Sequence, residues 1–325
     1  MKQNRLGRTG IEVSELSFGT LTFSKHHANV TIEAGARTVK KGLELGINLF
    51  DTASSYGTQD HLREGLKGAG DKVVISTKTH AKTRESAIRD LEASLRELNR
   101  EYIDIYHLHL IQDDADLIAR RQVLEYLLEC KERGLIRAIG ATLHTVKGAR
   151  TAVAEQNIDI LFTVLNSGGL GIRDASLEDM LEICRQADDR GMGILVMKPL
   201  GGGHLRKSPQ KAFDFLRNIC LVDSICVGMK SPAEVEMNVG LMEDRTPSNE
   251  ILSQIETIPR RLRINDTCLG CGACIETCAQ GALSMDWSKA DPSEGKQGQA
   301  RVDNDQCILC GYCADACPQF SIRVV

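Results

Sequence analysis

The sequence predicts an α/β chain, a closed (β/α)8 barrel followed by a small α+β domain, on three observations. From residue 11 to about 244, short β-branched runs alternate with longer segments of helical period. Eight such strand candidates fit in about 240 residues, and no GxGxxG opens a helix after a strand, which favours a closed TIM barrel over an open doubly wound sheet. The segment from Ile264 to Val325 instead holds two similar units, CLGCGACIETC and CILCGYCADACP, an internal repeat.

In chain order the strand candidates are SELSFGT, INLFDTA, KVVISTKT, YIDIYHLHL, IRAIGATLH, IDILFTVLN, MGILVMKPL and SICVGMK. Helices are predicted between them at 31–45, 83–99, 117–133, 145–156, 176–190, 208–219 and 231–243. Gly46, Gly134 and Gly191 stand as helix stops, because glycine takes the left-handed backbone that ends a helix without strain. Ahead of the first strand, RLGRTGIEVS reads as a hairpin turning at Arg8-Thr9-Gly10, placed to plug the bottom of the barrel. Residues 244–263, with Pro247, Pro259 and the basic Arg260, Arg261 and Arg263, read as barrel end and linker. The expected division is a barrel over 1–259 and a second domain over 260–325.

Composition excludes several classes. A chain of 325 residues with 42% apolar residues and a net charge of -4 can bury a full core and is not disordered. Its 40 basic and 44 acidic residues are interspersed, so neither nucleic acid nor an anionic lipid surface is an expected partner. No stretch approaches the roughly 18 apolar residues of a membrane span, and MKQNRLGRTG lacks the apolar core of a signal peptide. A cytoplasmic location is therefore expected, and the twelve cysteines read as metal ligands or packing rather than disulfides. Cys130, Cys184, Cys220 and Cys226 are scattered through strand and helix patterns and read as small core residues.

The other eight cysteines have the spacing C-x2-C-x2-C-x3-C in each unit. Three thiolates of one tight loop can then hold three irons of a cubane, with the fourth ligand supplied by the other unit. One [4Fe-4S] cluster is expected on Cys268, Cys271, Cys274 and Cys317, and a second on Cys307, Cys310, Cys313 and Cys278. Paired four-cysteine zinc sites favour C-x2-C knuckles and fit this triple spacing poorly. Gly270, Gly272 and Gly311 let the backbone pass close to sulfur. The tail resembles bacterial two-cluster ferredoxins over roughly 60 residues, departing at Ala279, where proline is usual; Pro318 keeps it in the second unit. Eight acidic side chains against four basic ones (Lys289, Lys296, Arg301, Arg323) suit an electron-transfer module.

The phrases RLGRTGIEVSELSFGT and DTASSYG resemble the aldo-keto reductase family. The resemblance implies a catalytic tetrad of Asp51 and Tyr56 in DTASSYG, Lys78 in VVISTKT and His109 in YIDIYHLHL, at the C-terminal ends of strand candidates where barrel active sites are built. A phenol with an ordinary pKa near 10 is a poor acid or base at neutral pH until a neighbouring cation lowers it. Lys78 is that cation, Asp51 holds it charged, and His109 orients the carbonyl. His107 is a secondary contact at most.

The same resemblance implies a nicotinamide dinucleotide across the barrel mouth. GMKSPAEVEMN is similar to the family's dinucleotide-contact stretch, which implies contacts at Gly228, Lys230, Ser231 and Asn238. The helix opening at Ser231-Pro232 suits an anion. Glu234 stands where relatives that use NADP(H) often carry arginine, which favours NAD(H) over NADP(H). Asn166 and Lys198 complete the expected contacts, while Leu143, Phe162 and Met197 depart from the family at its asparagine, glutamine and aromatic positions.

The expected function is oxidoreduction of a small carbonyl or alcohol substrate, with Tyr56 as general acid/base and electrons from NAD(P)H or through the clusters, and with a redox partner protein in the second case. The alternative is an electron-transfer component of a larger complex, with the barrel as docking scaffold. A third reading has the clusters staple the tail over the barrel mouth in place of substrate loops.

Overall fold

The computed structural model describes residues 1–25 and 27–325, with Asp71 described in its backbone only. Strands β1 (Gln3–Arg5) and β2 (Glu12–Ser14) pair antiparallel as the expected hairpin, closed by Gly10 at φ 72°. Its apolar residues Leu6, Ile11 and Val13 are fully buried against Leu49, Val74, Ile105 and Ile160, so the hairpin caps the lower end of the lumen.

Eight parallel strands follow: β3 (Leu16–Gly19), β4 (Leu49–Asp51), β5 (Val74–Thr79), β6 (Ile103–Leu108), β7 (Ile136–Thr142), β8 (Ile160–Val164), β9 (Gly193–Met197) and β10 (Ser224–Gly228). They close in sequence order, with β10 pairing back to β3. Nearly every residue in them is buried, because helices cover one face and lumen side chains the other. The eight strand candidates coincide with these eight strands.

The helices are α1 (Ile32–Glu44), α2 (Gln59–Gly65), α3 (Arg84–Leu98), α4 (Asp114–Ala119), α5 (Arg121–Glu132), α6 (Val146–Ala154), α7 (Leu177–Asp189), α8 (Pro209–Arg217), α9 (Pro232–Met242) and α10 (Asn249–Glu256). Gly46, Gly134 and Gly191 follow α1, α5 and α7 at φ 90°, 74° and 67°, the stops expected of them. Three differences from the expected elements matter. A short α2 follows the Tyr56 loop, the helix expected at 117–133 begins earlier and breaks at Arg120, and α10 occupies part of the expected linker. Among the described residues no helix is long and apolar enough to cross a membrane.

The C-terminal domain is built on two antiparallel pairs, β11 (Leu262–Ile264) with β14 (Ile322–Val324) and β12 (Leu283–Asp286) with β13 (Gln299–Val302). Two single-turn helices, α11 (Ala273–Glu276) and α12 (Tyr312–Asp315), each follow a left-handed glycine, Gly272 at φ 81° and Gly311 at φ 97°. Leu262, Leu283, Ala300, Ile322 and Val324 form a small core with Cys274 and Cys313.

This domain docks on the loops after β8 and β9, at the C-terminal mouth of the barrel. Phe320 fills the space beside Gly171 and Gly202, Val324 that beside Gly203, and His204 Nε2 lies 3.2 Å from the Ile322 carbonyl. Arg260 adds an ion pair to Glu234 at 2.8 Å.

Candidate active site and cysteine cavities

Asp51 ends β4 and Lys78 lies near the end of β5, side by side in the lumen. Lys78 Nζ donates to both Asp51 oxygens, at 2.6 and 2.5 Å, and to the Thr52 carbonyl at 2.6 Å. Burial opposes the ammonium, but the carboxylate outweighs it and holds Lys78 above the ordinary lysine value. Ser76, two residues earlier on the same face of β5, donates to Asp51 at 2.7 Å and contacts His107 Nε2 at 3.0 Å.

Tyr56 sits in the loop between β4 and α2, with its amide bonded to the Ala53 carbonyl and Gly57 at φ 65° turning the chain. Thr58 fixes that loop through hydroxyl contacts to Thr20 at 2.8 Å and Thr52 at 2.9 Å. The Tyr56 ring is 5.1 Å from Lys78 Nζ and edge-on to His109, with centroids 5.9 Å apart. Burial pushes the phenol up while Lys78, and more weakly Arg323, pull it back.

His109 lies just past β6. Its amide bonds to the Thr79 carbonyl, Arg120 Nη1 donates to its carbonyl at 2.8 Å, and its ring stacks on His80 at 3.9 Å. The break between α4 and α5 therefore has a use, since it places Arg120 there. Burial and the nearby Lys78 ammonium hold His109 well below the usual histidine range, so the ring is neutral at neutral pH. His107 is fully buried beneath it, likewise neutral, against Phe162 at 5.5 Å. The structure thus brings all four expected tetrad residues together. Ser76, His80 and Arg120 join them without having been expected; Ser76 alone carried a signal, its period-2 relation to Lys78.

The expected nicotinamide contacts are differently placed. Both polar atoms of the Asn166 side chain are taken up by backbone: Nδ2 donates to the carbonyl of Leu170 in its own turn and to that of Lys198 just past β9, and Oδ1 accepts from Gly168 and Leu170. Leu143 and Phe162 are buried apolar groups, and Met197 packs against the lumen core. Lys198 faces the Phe320 ring at 4.8 Å. Ser231 caps α9, and Glu234 accepts from the Lys230 amide at 2.6 Å as well as from Arg260. Gly228 lies against Thr22. Asn238 is 2% exposed with Oδ1 unpaired. The Ser231 cap and the unpaired Asn238 Oδ1 suit the far end of a dinucleotide, and Leu143, Phe162 and Met197 offer no polar side-chain group to its reactive ring.

Two cavities lie in the C-terminal domain. Cys268, Cys271, Cys274 and Cys317 line one, and Cys278, Cys307, Cys310 and Cys313 line the other, each quartet drawing one cysteine from the opposite repeat. Among the described residues no three His, Cys, Asp or Glu side chains gather as the ligands of one bare ion do; each quartet surrounds a space. Amides of Ala300 and Ser321 donate to Cys268 and Cys317 sulfur at 3.4 and 3.3 Å. Burial, then crowding by neighbouring sulfurs, pushes Cys274 up to about 11 and Cys313 up to about 12. Such a donor set fits a positively charged metal-sulfide core, which stabilises the thiolates.

Comparison with known proteins agrees with this architecture. An L-galactose dehydrogenase of Arabidopsis thaliana is 26% identical over 302 residues, covering 78% of this chain and 92% of that protein. A crystal structure from Pseudomonas aeruginosa, assigned as an aldo-keto reductase, superposes with a TM-score of 0.65 at 26% identity, over 74% of this chain and 95% of that one. An aldo-keto reductase of Bacillus halodurans shares the fold at 23% identity, with a TM-score of 0.65 over 79% and 95% of the two chains. Residues 267–320 match a 4Fe-4S dicluster domain and residues 15–220 match the aldo/keto reductase model, so the chain belongs to the aldo/keto reductase family and carries a dicluster domain behind its barrel.

Proposed function

We propose that this oxidoreductase interconverts a small carbonyl compound and its alcohol with Tyr56 as general acid/base. The observation that carries the reading is the Tyr56 ring held between Lys78 and neutral His109. Lys78, kept charged by Asp51, favours the phenolate and offsets part of the rise that burial imposes, which still leaves the phenol above its ordinary value. Neutral His109 offers an N–H to the carbonyl oxygen without a second full charge beside Lys78. In the reducing direction Tyr56 gives its proton to the developing alkoxide; in the oxidising direction it takes the alcohol proton.

The two cysteine quartets are the proposed ligands of two [4Fe-4S] clusters. When bound, each supplies one electron at a time, and together they match the two electrons that separate a carbonyl from its alcohol. Cys317 lies three residues before Phe320, which rests on the barrel mouth, and this supports the clusters as the electron source, fed by a redox partner protein. That source suits carbonyls conjugated to a second π system, which accept single electrons. A second reading takes hydride from NAD(H), favoured by family membership and by the unpaired Asn238 Oδ1 near Lys230, Ser231 and Glu234.

Anaerobic holoprotein tests both. Clusters reduced by dithionite are expected to re-oxidise when conjugated carbonyls are added, with alcohol formed in proportion. NADH consumed only with carbonyl present, while the clusters stay oxidised, selects the second reading. No alcohol from any reductant removes the carbonyl assignment.

A further inference from the structure

At the seam between the barrel and the dicluster domain, basic side chains gather that form no ion pair with any of the described residues. Lys198 Nζ reaches His144 Nε2 at 3.2 Å and the Phe320 ring at 4.8 Å. Arg323, on β14, has its guanidinium 5.3 Å from the same ring. Arg173 bonds through its amide to the His144 carbonyl at 3.0 Å, and its Nη2 donates to the neutral Gln112 side chain at 2.7 Å. The Nε atoms of both arginines are buried and unpaired.

The nearby acids are already engaged. Asp174 beside Arg173 accepts from the amides of Val146 and Lys147, and Glu234 is tied to Arg260 and the Lys230 amide. Gathering partly buried cations without counter-charge is unfavourable until an anion enters. Burial and repulsion by Arg323 and Arg173 accordingly push Lys198 well below the usual lysine range, and burial lowers both arginines, in Arg173 against the pull of Asp174. The group lies within electrostatic reach of the proton-transfer pair, since the charge of Arg323 acts on Tyr56 and His109 acts on His144.

We propose that Lys198, Arg173 and Arg323 bind a carboxylate, so that the substrate is an oxo acid or its hydroxy acid, held with its carbonyl toward Tyr56 and His109. This rests on the carbonyl/alcohol reading above and names its substrate class. Guanidinium forks match a carboxylate in two parallel hydrogen bonds. The reaction is unchanged: two electrons and two protons convert oxo to hydroxyl, and the carboxylate is untouched. Because Arg323 belongs to the appended domain, selection of acids depends on that domain being docked.

Calorimetric titration of the full holoprotein tests the site apart from turnover. Lactate and 4-(hydroxymethyl)benzoate are compared with their neutral amides. Each acid is expected to bind about 10- to 100-fold more tightly than its amide, and Lys198→Met, Arg173→Gln and Arg323→Gln each to remove most of that preference while the visible cluster spectrum stays intact. Equal binding of acid and amide in both pairs overturns the proposal. So does an unchanged acid preference in the variants accompanied by weakened NADH binding, which assigns the cations to a dinucleotide phosphate. Acid preference in a protein that turns over no carbonyl leaves the carboxylate site standing and removes the reaction.

Discussion

Lys198 and Phe320 face each other across the two domains, ammonium to ring centre 4.8 Å, and both hold a left-handed backbone, at φ 58° and 48°. Side-chain-bearing residues rarely adopt that conformation, which costs roughly 1–2 kcal/mol each. Two strained residues meeting at one contact tie the end of β9 to the turn before β14. The barrel mouth and the Cys317 side of the dicluster domain are thereby one structural unit.

Phe320 is 3% exposed and fills the space over Gly171 and Gly202. Phe320→Ala is expected to cost about 3–5 kcal/mol at this contact and to loosen the docking of β14 on the barrel. Amide exchange is the check: faster exchange in residues 320–325 with unchanged barrel strands is the expected pattern, and unchanged protection at the C-terminus counts against it.

Tyr56→Phe removes the transferable proton and keeps the ring against His109. Carbonyl turnover should fall by about 10²- to 10⁴-fold, with cluster content and reduction by dithionite as in the parent protein. Retained turnover would transfer the acid/base role to another group.

Lys78 and Asp51 are 2% and 6% exposed, so Lys78→Met strands a buried carboxylate. A loss of about 3–5 kcal/mol is expected, partly restored by adding Asp51→Asn. Lys78 also favours the Tyr56 phenolate, so its removal raises the phenol pKa. In alcohol oxidation, where the phenolate is the base, the rise in rate should therefore shift to higher pH. A profile that does not move separates Lys78 from Tyr56.

Much of this was legible in the sequence because the barrel repeats a local signal. Each strand is a short apolar run between amphipathic helices, and the glycine stops mark the returns. The proposed tetrad was legible because Asp51, Lys78 and His109 stand at or just past strand ends and Tyr56 in the loop after one, all in distinctive local wording. The short α2 was missed, its seven residues being too few to show a helical period. The break at Arg120 was missed because side chains on both sides keep the period while Arg120 turns inward to the His109 carbonyl. Lys198, Arg173 and Arg323 were not legible as a group, because they meet only when two domains dock and no spacing along the chain records it.

Histidines held neutral in the fold make stability depend on pH. His107, His109 and His144 are held well below the usual histidine range, chiefly by burial, so each is neutral in the folded protein and free to protonate once unfolded. Near and below pH 6.5 the unfolded chain binds more protons, and stability falls as pH falls, by up to about 1.4 kcal/mol per histidine per pH unit until the lowered folded value is reached. Denaturant midpoints from pH 7.5 to 5 should decline, and less steeply in His107→Gln. A flat profile would mean that these rings are solvated.

The crossed quartets make a prediction that sequential ones do not. Cys278 lies in the first repeat but lines the cavity of Cys307, Cys310 and Cys313, and Cys317 lies in the second but lines that of Cys268, Cys271 and Cys274. Cys278→Ser should therefore impair the cluster of the second repeat, leaving the cavity nearer Phe320 loaded and β14 docked. Cys317→Ser should impair the other cluster, which joins the turn to β14, and so loosen docking as Phe320→Ala does. Iron content should fall from about eight to about four per chain in each single variant, and amide exchange of residues 320–325 distinguishes them. Equal protection in both would detach cluster ligation from docking, whereas loss of protection in Cys317→Ser alone ties the cluster beside the barrel mouth to the strand that carries Arg323.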